Sequence, residues 1–196
     1  VNTVEKLYPE LIPNLSTCRS PQGMLGPVIK TYWAKNMGID PKNIVVVSVM
    51  PCVAKKAEAK REQLKRDGGY DVDIVLSARE FGRLLQRRGV TPDVWNALPD
   101  MWYDDPLSSG TGAATLFGAS GGVMEAALRT AYEIATGKEL PGIVFQPARG
   151  LAGIKEATVD VAGTPLRIAI ANGTKNVRAL VEDIQAGKRK YEFVGI

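Results

Sequence analysis

Two short β-branched runs, NIVVVSVM at 43–50 and DVDIVLS at 71–77, constrain this chain more than any other feature. Neither alternates strictly between apolar and polar residues. That pattern suits strands buried on both faces of a parallel sheet. A helical pattern follows each run, over about 53–66 and then 78–89. The order strand–helix–strand–helix predicts an α/β fold, with twisted mixed or parallel sheets flanked by helices.

The remaining signals fill in this frame. A short helix is expected around 2–8, then a loop with Pro9 and Pro13. Ser20 as N-cap and Pro21 at the first helical position start a helix that Gly38 stops. RDGGY, 66–70, reads as a turn, and 91–122 as a long loop rich in Pro, Gly, Ser and Asp. An amphipathic helix is expected over 123–140, and a hairpin over 153–173 turned at Ala162-Gly163-Thr164. A helix over 174–187 closed by Gly187, and a terminal strand YEFVGI, complete the chain. This divides residues 1–196 into an α/β unit at 39–90, a Gly/Pro-rich pocket loop at 91–122, and a helix–hairpin–helix–strand unit at 123–196.

Composition excludes several chemistries. The 196 residues contain no histidine, which removes Ser-His-Asp and Cys-His catalysis and imidazole-based zinc sites. Two cysteines, Cys18 and Cys52, are too few for a disulfide framework. The net charge of +4 is spread among acids. The densest stretch, AKKAEAKREQLKR, reads as a solvated helix face rather than a nucleic-acid surface. No apolar run is long enough for a membrane span. VNTVEKLYPEL lacks the pattern of a signal peptide, so the expected location is cytoplasmic.

In open α/β sheets, ligands gather beyond the carboxyl ends of strands. Met50-Pro51-Cys52 stands at such an end. A cysteine before a helix and near lysines favours its thiolate, the form that iron–sulfur clusters bind. The competing reading is a small buried residue. Lys55 could present an ammonium to an anion or simply be solvated. SSGTGAATLFGASGG, 108–122, precedes a helix but matches neither a Walker loop nor a dinucleotide fingerprint. Phe117 within it reads as a packing anchor or a pocket wall.

Taken together, LSTCRSPQ, VSVMPCVAKKAE and LFGASGGVMEAALRTA resemble the catalytic domain of FeFe-hydrogenases. The resemblance continues through RGLAGIKEATVDV, IANGTKNVRALVEDI and the terminal strand, covering nearly the whole chain in order. It implies part of a two-lobed fold around the H-cluster, a 4Fe-4S cubane linked to a two-iron subsite with CO, cyanide and dithiolate ligands. It implies reversible conversion of two protons and two electrons to dihydrogen. Cys52 would be a metal ligand of the cubane, and Lys55 would hydrogen-bond a cyanide. Met50, Pro51, Pro21, Gln22, Phe117 and Gly118 would line the cofactor. Ser16 matches the serine of the family's proton path, and Glu58 completes the family's second active-site motif, MPCxxKxxE. Cys18 matches no ligand position and is expected to be small and buried.

The family's first motif, TSCxPxW, would precede Val1. The third, ExMxCxxGC, would begin at about Gly195, where this chain has Gly in place of Glu. The chain thus carries one of four expected cysteine ligands. It is expected to be a segment that does not hold a complete H-cluster by itself. The rest of the hydrogenase chain or its subunits would supply the missing cysteines, and ferredoxin or NAD(P)-linked subunits would exchange electrons. A non-catalytic iron–sulfur assembly protein and a sensory hydrogenase are the alternative members of the same family.

Overall fold

A computed structural model describes residues 1–66, 69–104, 108–148 and 153–196. Parts of the expected turn at 66–70, of the expected loop at 91–122 and of the stretch RGLAGIKEATVDV lie outside these. The chain divides into two compact units, Val1–Ser108 and Ser109–Ile196.

In the first unit, helix α1 (Asn2–Leu7) leads into a 3-10 turn at Pro9–Asn14. Helix α2 (Pro21–Val28) starts as expected: the Ser20 hydroxyl accepts the Gly23 N–H at 3.2 Å. The helical path widens into a π turn at Ile29–Trp33 just after Pro27, whose ring removes a backbone donor. It closes with α3 (Ala34–Met37) and with Gly38 in the left-handed region at φ 65°. A side chain at Gly26 would meet Val72 Cγ2 at 2.8 Å and the Asp71 carbonyl at 3.0 Å, so glycine here permits close helix–chain contact.

Strand β1 (Val47–Met50) is followed by helix α4 (Ala54–Ala59). Two short strands, β2 (Lys65–Arg66) and β3 (Gly69–Tyr70), pair antiparallel. Strand β4 (Ile74–Ser77) then pairs parallel with β1, Val47 opposite Ile74 and Met50 opposite Ser77. Helix α5 (Ala78–Arg87) begins at once in a capping box between Ser77 and Glu80.

Three expectations are corrected here. The first strands are not buried on both faces: Val47, Val49 and Ile74 are 49%, 43% and 46% exposed. Alternation along β1 leaves Val47 and Val49 open and Ser48 and Met50 half-buried. The helix expected over 53–66 stops at Ala59, because Lys65 and Arg66 are drawn into the strand pair and Arg66 binds Asp71. The expected loop at 91–122 contains helix α6 (Pro92–Asn96), with Thr91 accepting the Val94 N–H, and helix α7 (Gly112–Leu116).

The second unit, which includes α7, continues with helix α8 (Gly122–Thr136), ended by Gly137 at φ 67°. Strands β5 (Gln146–Pro147), β6 (Ile154–Val161) and β7 (Thr164–Ala171) follow. Helix α9 (Thr174–Gln185) and strand β8 (Phe193–Gly195) complete it. The sheet order is β5-β6-β7-β8, antiparallel up to β7, with β8 parallel to β7. Core packing follows the two faces of β7. Ile168 packs with Leu128 and Val159, while Ala169 and Ala171 pack with Val177 and Leu180. Ile168, Ala169, Ile170 and Ala171 are all at most 1% exposed. Each buried isoleucine contributes about 1.5–3 kcal/mol of apolar burial.

Candidate functional site at the β1–α4 junction

Strand β1 delivers Met50 half-buried, and the chain then turns through exposed Pro51 and Cys52 into α4. Cys52 is a free, exposed thiol, and its carbonyl accepts the Lys55 N–H at 3.2 Å. Lys55 follows one turn along. Its ammonium donates to Glu58 Oε2 at 2.7 Å, and both side chains are only about a quarter exposed.

The other Glu58 oxygen, Oε1, accepts the Ser20 hydroxyl. Burial raises the Glu58 carboxyl, but the hydrogen bonds from Lys55 and Ser20 outweigh it and hold the group below its ordinary value. The carboxylate is therefore an anion with one donor on each oxygen.

Gln22 holds the other end of Lys55. Its Nε2 donates to the Lys55 carbonyl at 3.3 Å, and its Oε1 accepts the Ser48 hydroxyl at 2.8 Å. Gln22 is 5% exposed, so these bonds satisfy an amide taken out of water. The first turn of α2 thus grips the first turn of α4 at backbone and side chain. Close by, Asp71, 6% exposed, is bound by Arg19 at 3.1 Å and Arg66 at 2.8 Å.

The structure brings Met50, Pro51, Cys52, Lys55, Glu58 and Gln22 to one junction. Pro21 lies between two of the gripping residues, Ser20 and Gln22. Ser16 stands apart from this network, exposed, its hydroxyl accepting the Cys18 N–H at 3.1 Å. Cys18 is itself exposed, contrary to the expectation of burial, because it lies in the open turn before α2.

Phe117 and Gly118 belong to the second unit, directly after α7. Phe117 is 39% exposed, and its N–H donates to Ala113 at 3.0 Å. The stretch is pinned by Gly121 and Gly122. A Cβ on Gly122 would fall 1.6 Å from the Leu116 carbonyl oxygen. One on Gly121, at φ 85°, would fall 2.6 Å from Ile170 Cδ1. The glycines of LFGASGG therefore let the start of α8 close against the end of α7.

Sequence reasoning missed Ser48 entirely and saw in Ser20 only a helix cap. The alternation of VSVM could have flagged Ser48, since it shares a strand face with Met50. Among the described residues no group of three or more Cys, Asp or Glu side chains could hold a metal ion.

A family profile described as the iron-only hydrogenase large subunit, C-terminal domain, matches residues 1–196. The chain belongs to the iron-only hydrogenase family. It is 47% identical over 190 residues to the periplasmic Fe hydrogenase large subunit of Nitratidesulfovibrio vulgaris, covering 97% of this chain and 44% of that protein. Iron hydrogenase 1 of Clostridium pasteurianum is 39% identical, over 100% of this chain and 34% of its own length. Cytosolic iron-sulfur assembly component 3 of Rattus norvegicus is 32% identical, over 95% of this chain and 40% of its own length. The chain thus spans less than half of each of these relatives. An apo FeFe-hydrogenase structure from Chlamydomonas reinhardtii superposes with TM-score 0.82 at 39% identity, over 99% of this chain and 55% of that one.

These findings bear out the iron-only hydrogenase resemblance and the α/β fold. The expectation of a cytoplasmic location is overturned by the periplasmic relative, and location is left open. The absence of a leader pattern at Val1 carries no weight in a chain spanning 44% of that protein. Among the described residues no helix is long and apolar enough to cross a membrane.

Proposed function

We propose that this chain is a segment of the catalytic domain of an FeFe-hydrogenase whose parent protein interconverts dihydrogen with two protons and two electrons. The observation that carries the reading is the β1–α4 junction: an exposed thiol at Cys52 and, one turn on, an ammonium held in place at Lys55. In this reading Cys52 is one thiolate ligand of the H-cluster's cubane. The rest of the parent chain or its subunits supply the other ligands. When bound, the cluster provides the redox-active irons. Lys55 offers a charged donor to an anionic cyanide, and Glu58 keeps that donor oriented. Met50, Pro51, Pro21 and Gln22 line the cofactor from the first unit, Ser16 belongs to the proton path, and Phe117 and Gly118 keep the cofactor-binding role that the family motifs give them.

Likeness at 47% and 39% to hydrogenases, against 32% to the assembly component, supports the enzyme over the non-catalytic reading. A relative at 45% identity is named as an NADP-reducing hydrogenase subunit of Solidesulfovibrio fructosivorans, which supports an NAD(P)-linked electron-transfer partner.

The test is maturation of the full parent protein followed by infrared spectroscopy. CO and cyanide bands and hydrogen turnover are expected, and Cys52→Ala should abolish both. Unchanged activity in Cys52→Ala would sink the ligand assignment. A parent lacking the bands after maturation would sink the enzyme reading.

A further inference from the structure

Ser20 has two hydrogen-bonding capacities, and the structure uses both. Its oxygen accepts the Gly23 N–H, which caps α2. Capping consumes a lone pair and leaves the hydroxyl proton free. That proton goes to Glu58 Oε1, thirty-eight residues along the chain. Glu58 Oε2 receives the Lys55 ammonium. A carboxylate held on both oxygens by donors from different elements cannot turn without losing one of them. Lys55 in turn can only keep its 2.7 Å contact while Glu58 stays put.

We propose that Ser20 is a positioning residue for Lys55, acting through Glu58, so that the start of α2 sets the direction of the ammonium on α4. This rests on the reading of Lys55 as the charged donor of the cofactor pocket. Cap and clamp are one atom in Ser20, which ties the helix start to the Lys55–Glu58 ion pair of α4. Arg61 adds positive charge near Glu58 but is itself bound to Glu5, so it does not substitute for the hydroxyl.

Glycine and alanine separate the two roles of Ser20. Glycine at an N-cap costs a helix only a few tenths of a kcal/mol, whereas alanine costs about 1. Both remove the hydroxyl. The full parent protein, free of metal, is treated with limiting acetic anhydride, and acetylation at Lys55 is followed by mass spectrometry. Ser20→Gly and Ser20→Ala should both speed Lys55 acetylation roughly threefold, the scale of a partly exposed ion pair. Ser20→Thr, which keeps the hydroxyl, should restore the wild-type rate. Adding Ser20→Gly to Glu58→Gln should bring no further increase over Glu58→Gln alone, because the serine acts through the carboxylate.

Acceleration in the alanine variant alone would reduce Ser20 to a cap and overturn the proposal, as would no acceleration in either. In the matured protein the cyanide bands should shift in Ser20→Gly and not in Ser20→Thr. If bands are present but Lys55→Met leaves them unmoved, the cyanide-donor reading fails. The acetylation result still decides whether Ser20 positions Lys55.

Discussion

Lys55 and Glu58 stand one helical turn apart on α4, and the ammonium donates to the carboxylate across 2.7 Å. An i,i+3 pair on an exposed helix contributes little, about 0.2–0.5 kcal/mol. This one is three-quarters covered and anchored at Ser20, so a removal cost of about 0.5–1 kcal/mol is expected. The Glu58 carboxyl is pushed up by burial and pulled further down by Lys55 and Ser20, ending below 4.5. A folded value below the unfolded one means the unfolded chain takes up the proton first. The stabilisation is therefore complete above the unfolded value and is lost as pH falls through the folded one. Denaturation midpoints of wild type and Glu58→Gln should differ near neutral pH and converge in acid, once the folded carboxyl is protonated. A gap that stays constant into acid would contradict the assignment.

Glu80 gives a second pH-dependent contact in the same unit. Its carboxyl lies at about 2, held down first by the Lys56 ammonium, then by the Ser77 N–H and the Ser77 hydroxyl. The capping box at the start of α5 should weaken as pH falls from 4.5 toward about 2. Lys56→Met removes the largest cause and leaves the box intact. A carbon-13 carboxyl titration should then place Glu80 between its present position and 4.5. Ser77→Ala should cost about 1 kcal/mol of stability as a lost N-cap. Unchanged Glu80 titration in Lys56→Met would show that the box alone holds the carboxylate.

The sequence makes the local devices legible and hides the tertiary ones. Ser20-Pro21, Gly38 and the turn at Ala162-Gly163-Thr164 declare themselves because caps and turns are short-range chemistry, though Thr164 already belongs to β7 and leaves a two-residue loop. Thr91-Pro92 carries the same start signal as Ser20-Pro21 and begins α6, though the Pro-rich surroundings read as loop. Burial on both faces was expected for the β1 and β4 runs but is realised in β7. There α8 and α9 supply residues to opposite faces, whereas Val47 and Val49 are left open. Apolar content states what a strand tolerates and does not state what covers it. At the site, Cys52, Lys55 and Glu58 were legible from motif. The roles of Ser48 and of the Ser20 hydroxyl were not, since they depend on approaches of 26 and 38 residues' separation.

Gly122 and Gly82 should respond oppositely to alanine. At Gly122 the added carbon would overlap the Leu116 carbonyl oxygen at 1.6 Å, and that oxygen is backbone and cannot swing aside. The cost should exceed the about 1–3 kcal/mol of ordinary overpacking and disturb the Phe117 segment. Gly82 lies inside α5 with nothing within 4 Å of its Cβ position. Gly82→Ala should stabilise by about 0.8–1 kcal/mol through helix propensity alone. Denaturation midpoints check both. A tolerated Gly122→Ala would mean that the α7–α8 contact can open.

Ala162 is the only non-glycine residue with positive φ among the described residues, at 53°. It shares a two-residue hairpin loop with Gly163, at φ 86°, joining β6 to β7. A loop with both central residues left-handed is the type I′ geometry, whose twist matches that of the flanking strands. Gly163 adopts this freely, and its N–H is held by Asp160 at 2.7 Å. Ala162 does so against its own Cβ, a strain of about 1–2 kcal/mol. Asparagine enters the left-handed region more readily without glycine's extra unfolded-state freedom. Ala162→Asn should therefore stabilise the hairpin by about 0.5–1 kcal/mol, with an unchanged denaturant slope. Ala162→Val should destabilise it, because branching at Cβ worsens the same clash. Equal stability of all three would mean that the loop relaxes to another turn type, with the register from Ile154–Ala171 to Val161–Thr164 shifting with it.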